Sequence, residues 1–227
     1  MIAHHPNDAL LLDYASGAAA EPISLLIATH LALCPHCRER VAAYEEFGGA
    51  LIETGDTEAI PDSLKSGVLA ALDGEEISVT SQPTSESGSI DAARNLPQPL
   101  RDYCGRQLEA DNWQWSGFGI KKIPLLEDQD RFECYLLAIR KGTKVPLHDH
   151  GGSELTLVLD GSFSDDSGTF ARGDIAARDE GDEHQPVADP ETDCICLVVS
   201  DAPVSLKGPV GRLLNPFLGR GRRQDHL

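Results

Sequence analysis

The sequence predicts an α + β multidomain protein: a small N-terminal helical domain of about four helices, followed by an antiparallel β-barrel. Three observations carry this reading. Apolar residues recur at helical spacing up to about residue 73, whereas from about residue 100 they fall in short strand-like runs separated by Gly, Asp and Pro turn signals. Many short strands without intervening helices point to a barrel or sandwich. Between the two regimes, residues 78–89 (SVTSQPTSESGS) are rich in Ser, Thr and Pro and nearly free of large apolar side chains. Such a segment cannot bury enough surface to offset its ordering entropy. The expected organisation is therefore a helical domain over 1–73, a flexible linker over 74–99, a β-domain over 100–218 and a basic tail over 219–227.

In the helical domain, Asp8 is the expected cap of a short first helix carrying Leu10, Leu11 and Tyr14, which Gly17 ends. Pro22 suits the first turn of a second helix. There Ile23, Leu26, Ile27, His30, Leu31 and Cys34 share one face. Pro35 opens a third helix with Val41, Tyr44 and Leu51 inward, weakened or ended at Gly48-Gly49. A fourth begins near Pro61 and carries Leu64, Val68 and Leu72. In the β-domain, strands are expected over residues 132–139, 154–159, 175–177 and 194–199. Trp113 and Trp115 read as packing residues on one strand face, and Cys104 and Cys134 as isolated thiols. Cys194 and Cys196 alternate with Ile195, which makes them a pair of same-facing buried thiols rather than a disulfide.

The formal net charge of -18 over 227 residues argues against nucleic acid as a direct partner, because phosphate binding needs surplus Lys and Arg. It fits a partner with a basic surface. Residues 1–73 hold eleven Asp and Glu against three Lys and Arg. No membrane span is expected: the longest apolar stretch, residues 23–33, is interrupted by His30 and falls short of the roughly 20 residues required. The start MIAHHPNDAL lacks the basic and apolar regions of a secretory signal, and six cysteines do not form a dense disulfide framework. Both point to the cytoplasm.

The most informative run is G-TKVPL-H-D-H-GGS-E-LTLVLD-G, from Gly142 to Gly161. His148 and His150, two apart on a strand, project from the same face, and Glu154 follows a Gly-Gly turn. His184 is a fourth candidate. Three imidazoles and a carboxylate suit a divalent first-row metal with one or two coordination positions open. The spacing resembles the first cupin motif, G(x5)HxH(x3)E(x6)G, at every specified position. The second motif, G(x5)PxG(x2)H(x3)N, is matched at Gly173, Gly181 and His184 but not at Asp179 or Ala188. The resemblance, over about residues 100–217, implies a cupin barrel. That fold alone leaves dioxygenase, ligand-sensor and regulatory roles open.

A second cluster lies before the linker. In HLALCPHC, His30 and Cys34 share a helical face, and Pro35 turns the chain so that Cys37 can return to the same point. Zinc needs four ligands, and the fourth falls to His5, with His4 and His36 as rivals. The H-x3-C-x2-C pattern on a short helical domain is similar to the zinc-binding anti-sigma domain. Joined to a cupin, and with HHPNDALL, ATHLALC, ELTLVLDGSF and DCICL, the chain resembles the ChrR family of anti-sigma factors over nearly its whole length. That resemblance implies zinc at His5, His30, Cys34 and Cys37 and a second zinc at His148, His150, Glu154 and His184, where Fe, Mn or Ni are the alternatives. It implies a non-enzymatic regulator that holds an extracytoplasmic-function sigma factor and frees it on singlet-oxygen or related stress. A metal-dependent cupin dioxygenase, or a cupin that binds a small oxidant or organic ligand without chemistry, is the competing expectation.

Overall fold

The structure, a computed structural model, describes residues 1–74, 96–105, 112–126, 132–202 and 204–207. Most of the expected linker (75–95), the end of the expected cupin (208–218) and the basic tail (219–227) lie outside these residues.

Four N-terminal helices form where apolar spacing places them. Helix α1 spans Asp8–Ala15, α2 Glu21–Leu33, α3 Pro35–Glu53 and α4 Asp62–Gly74. The cap of α1 differs from expectation. Asn7, in extended backbone geometry, accepts from the Leu10 N–H at 2.9 Å, while Asp8 is already inside the first turn and pairs with Arg40. Pro22 and Pro35 occupy first turns, where no N–H donor is missed. Helix α3 is not ended by Gly48-Gly49 but continues to Glu53. The roughly 1 kcal/mol helix penalty of each glycine is outweighed there by an otherwise unbroken run of helix formers. Leu51 is not inward as expected; it is 58% exposed, because α3 outruns the layer it packs on.

A fifth helix, α5 (Gln98–Cys104), begins in residues assigned to the linker and packs on α2. Its Leu100 and Cys104, four apart, are buried together with Leu96.

The β-region contains β1 (Gln114–Gly117), β2 (Ile120–Leu126), β3 (Glu133–Ile139), β4 (His148–His150), β5 (Glu154–Asp160) and β6 (Ser162–Asp165). It continues with β7 (Gly168–Ala171), β8 (Ile175–Arg178), β9 (Val187–Ala188), β10 (Cys194–Ser200) and β11 (Val204–Leu206). The four expected strands are β3, β5, β8 and β10. They pair antiparallel in one six-stranded sheet ordered β1-β2-β3-β10-β5-β8. Sheets β11-β4 and β7-β6-β9 complete the barrel-like fold. Trp115 lies on edge strand β1 and is 69% exposed, so it is not a packing residue; Trp113 precedes the strand and packs on the core.

The two faces of the large sheet bury different things. Leu136, Leu157, Leu159, Leu197 and Val199 face outward and share one hydrophobic cluster with Leu11, Leu26, Ile27, Val41 and Leu100 of the helices. Tyr135, Val158, Cys194, Cys196 and Val198 face inward with Phe163 and Phe170. Strand β10 is covered on both sides, which is why its sequence reads as a continuous apolar run. The helical layer therefore packs on the β-region through a shared core, each buried leucine contributing about 1.5–3 kcal/mol.

Candidate metal centres

At the N-terminal cluster the chain folds back on itself within one helical corner. Cys34 is extended (φ -110°, ψ 101°) and serves both as the last cap of α2 and the first of α3, so its side chain leaves the helix axis. His30 lies one turn earlier and Cys37 in the first turn of α3. His5 arrives on the N-terminal arm, its Nδ1 3.4 Å from Sγ of both Cys34 and Cys37. One ligand atom from each of His5, His30, Cys34 and Cys37 falls within 4.8 Å of all the others. His4 is directed elsewhere, its ring 4.5 Å from that of Phe170. The exposed His36 meets the His5 ring edge-on at 5.2 Å.

The chemistry of this cluster fits a cation. His30 is fully buried; its Nδ1–H donates to the Gly173 carbonyl at 2.9 Å, and its Nε2 has no hydrogen-bond partner. A buried, unpaired nitrogen carrying a lone pair costs about 1–3 kcal/mol unless something electropositive meets it. Burial pushes His30 down to about 4, against the raising effect of the Gly173 carbonyl, so the ring is neutral. Burial, with the neighbouring Cys34 thiol, pushes Cys37 up to about 12. Two buried thiols facing one buried and one exposed imidazole are a four-membered donor set of the kind that suits zinc.

In the cupin, β4 supplies His148 and His150, and the turn before β9 supplies His184. Paired backbone bonds fix the register: His148 N–H donates to the His184 carbonyl at 3.2 Å and His184 N–H to the His148 carbonyl at 3.0 Å. The Nε2 atom of His184 lies 3.0 Å from that of His150 and 2.8 Å from that of His148. The tautomers follow from the outer partners. His148 Nδ1–H donates to the Pro146 carbonyl at 2.9 Å and His184 Nδ1–H to Asp165 at 3.0 Å. Arg178 Nε is also 3.3 Å from that Nδ1, but the carboxylate is nearer and is itself paired with Arg178. The Nε2 atoms of His148 and His184 therefore present lone pairs to each other, while the Nδ1 of His150 has no hydrogen-bond partner, an arrangement a shared cation resolves. Burial pushes His148 and His150 down to about 4.

Glu154, the fourth expected ligand, is not gathered into this trio. Its Oε2 is 3.6 Å from Nδ1 of His150, and its Oε1 accepts from the Thr156 hydroxyl at 3.1 Å. Burial pushes it up to about 7. It lines, with His148 and His184, a cavity of about 460 Å³ whose other walls are largely apolar and include Cys196. Cys194 and Cys196 are buried, inward-facing free thiols with Sγ atoms 3.6 Å apart, as their alternation predicts. Asp165 and Arg178 had no signal in the sequence. Burial opposes ionisation of Asp165, but Ser167, His184 and Arg178 together hold it well below the usual carboxylate range. An aspartate 19 residues before His184 becomes its partner only once β6 and β9 pair.

The fold and its two histidine-containing clusters define a class: a helical module with a His2Cys2 corner packed on a cupin with a three-histidine pocket. Residues 105–203 match the ChrR cupin-like domain family. The anti-sigma-E factor ChrR of Cereibacter sphaeroides is 40% identical over 216 residues, covering 95% of this chain and 98% of that protein. The structure of Rhodobacter sphaeroides SigE in complex with the anti-sigma ChrR matches with a TM-score of 0.74 and 39% identity, covering 88% of this chain and 100% of the matched one. This chain belongs to the ChrR family of anti-sigma factors, which are regulators rather than enzymes.

Proposed function

We propose that the chain is a cytoplasmic anti-sigma factor that sequesters an extracytoplasmic-function sigma factor through its N-terminal helices. It releases that factor when the cupin meets singlet oxygen or a related oxidant. One observation carries the sequestering half. Leu64, Val68 and Leu72, at helical spacing along α4, are 58%, 55% and 65% exposed, and Phe47 and Ile52 of α3 are also exposed. Apolar faces of this kind on a folded chain mark protein-binding surfaces. The acidic excess of residues 1–73 suits a basic partner and speeds encounter. A relative bearing the same architecture has been solved with SigE, which supports a sigma factor as that partner.

Zinc is the ion proposed for His5, His30, Cys34 and Cys37, where it would tie the arm to the α2–α3 corner and keep both thiols ionised. For His148, His150 and His184, with Glu154 alongside, zinc is again proposed, and Fe, Mn or Ni are compatible with the donors. The division proposed is 1–73 for sigma binding, 74–99 as linker as far as the buried Leu96 and the start of α5, and 100–218 for sensing. Among the described residues no helix is long and apolar enough to cross a membrane. The cavity beside the cupin cluster supports a second reading of its role, as the seat of a small oxidant or organic ligand.

Co-expression of the full chain with extracytoplasmic-function sigma factors tests the proposal. One should copurify with it, and the Leu64→Asp, Val68→Asp double variant should capture at least about tenfold less, as expected when apolar anchors of an interface are lost. His148→Ala should keep capture and lose the response to oxidant. No sigma factor bound to the wild-type chain would refute the function, and undiminished capture by the double variant would refute the assigned face.

A further inference from the structure

The turn between β7 and β8 leaves the barrel and enters the N-terminal cluster. Asp174, 3% exposed, accepts from the Ala3 N–H at 2.7 Å and the His4 N–H at 2.9 Å through one oxygen, and from the Ala171 N–H at 2.9 Å through the other. The next residue, Ile175, donates its N–H to the His4 carbonyl at 3.1 Å. Three bonds from the barrel thus clamp the two residues immediately before His5. Gly173 works on a second ligand: its carbonyl accepts from Nδ1–H of His30, which leaves Nε2 of that ring bare within the cluster. Only glycine fits there. Its φ is +97°, and a Cβ would stand 2.5 Å from Cδ1 of Ile2, in the path of the arm.

We propose that Gly173 and Asp174, residues of the cupin, are positioning residues of the N-terminal metal centre, so that the barrel sets how firmly the anti-sigma domain holds its metal. The proposal rests on the reading of His5, His30, Cys34 and Cys37 as ligands. Two of those ligands, Cys34 and Cys37, are placed by the helical corner itself. The other two, His5 and His30, are oriented by the β7–β8 turn. The same turn opens the four-residue strand β8, which ends at Arg178 against Asp165 and His184 of the cupin cluster. The two centres therefore share one short strand, and a rearrangement at the cupin end has a direct backbone route to His5 and His30.

The test uses the full-length protein loaded with Co²⁺. A thiolate-to-cobalt charge-transfer band reports the N-terminal centre, since no sulfur belongs to the cupin trio, and its bleaching by excess chelator gives the rate of metal loss. Asp174→Ala should speed bleaching by about tenfold or more, the usual effect of removing an outer partner of a metal ligand. Asp174→Asn keeps an acceptor for Ala3 and His4 and should stay within about threefold of the wild type. Asp193→Ala removes a carboxylate that accepts from the Lys141 N–H elsewhere in the barrel, and should leave the rate unchanged. Wild-type rates in Asp174→Ala, or an equal acceleration in Asp193→Ala, would overturn the proposal. A thiolate band that is missing in the wild type, or that survives in the His30→Ala, Cys34→Ala protein, would overturn the ligand reading and the proposal with it.

Discussion

The two clusters are assembled by opposite means. The cupin trio is held by backbone pairing, since His148 and His184 exchange both of their main-chain hydrogen bonds, and Pro146 and Asp165 fix two of the rings from behind. The N-terminal cluster has no such ladder. Three of its members come from one helical corner, and the fourth, 29 residues before Cys34, rides on an arm that the barrel must hold. A site built on a sheet is organised before any ion arrives. A site closed by an arm depends on the ion, or on a neighbouring domain, to stay closed. This difference suits a division in which the barrel senses and the helical corner yields.

The largest expected effect follows from that contrast. His30→Ala with Cys34→Ala should remove one equivalent of metal and destabilise the helical region by more than about 3 kcal/mol, because metal binding there is folding free energy. Loss of sigma capture should accompany it. His148→Ala should also remove one equivalent of metal, yet lower barrel stability by only about 1–3 kcal/mol, the ordinary range for a buried substitution. Metal analysis and calorimetry check both. Equal losses in the two regions would erase the distinction between them.

A smaller effect is expected from pH in the metal-free protein. His30, His148 and His150 sit at about 4 in the folded chain, below the ordinary 6.5, chiefly through burial. The unfolded chain therefore takes up these protons first, and stability falls as pH drops from about 6.5 to about 4. Glu154 acts in the opposite sense. Burial raises it to about 7 from an ordinary 4.5, so its contribution grows as pH falls through that window. Three histidines against one glutamate leave a net loss on acidification. Chemical denaturation at pH 7 and pH 5 measures it, and a chain more stable at pH 5 would contradict the assignment of the three rings as buried and neutral.

What the sequence disclosed tracks the range of the interactions involved. Residues close in the chain were legible: His30, Cys34 and Cys37 are fixed by helical period and a proline, and His148 and His150 by strand alternation. Nothing local separates His5 from its rivals His4 and His36, and the resemblance to a known family supported choosing it. The structure separates them by what each ring touches, Phe170 for His4 and the two thiols for His5. Asp165, Arg178 and Asp174 were illegible as parts of either centre, and Gly173 was legible only as a glycine of the second cupin motif, not as a partner of His30. Their partners lie far along the chain and meet them only after the sheets pair and the arm docks. The same limit explains α5, whose Leu96 and Leu100 have no meaning as core until α2 is beside them. Leu51 erred the other way, its helical period being correct while the layer it should pack on ends before it.

The smallest effect probes the N-terminal region at a single hydrogen bond. Asn7 and Asp8 are adjacent residues at the start of α1 with side-chain oxygen acceptors, and either could cap it by composition alone. In the structure the Asn7 side chain accepts from the Leu10 N–H, whereas Asp8, its side chain 62% exposed, pairs directly with Arg40, whose side chain is 41% exposed. A cap removed by Asn7→Ala costs about 1 kcal/mol, and an exposed ion pair removed by Asp8→Ala typically costs less than about 0.5 kcal/mol. Because α1 packs on α3 and leads directly from the His5 arm, the loss should appear in the unfolding of the helical region and leave the barrel unchanged. Hydrogen exchange read separately over residues 8–15 and over β5 and β10 distinguishes the two. If Asp8→Ala proved the costlier change, the charge pair rather than the amide would be what holds the first helix against the metal corner.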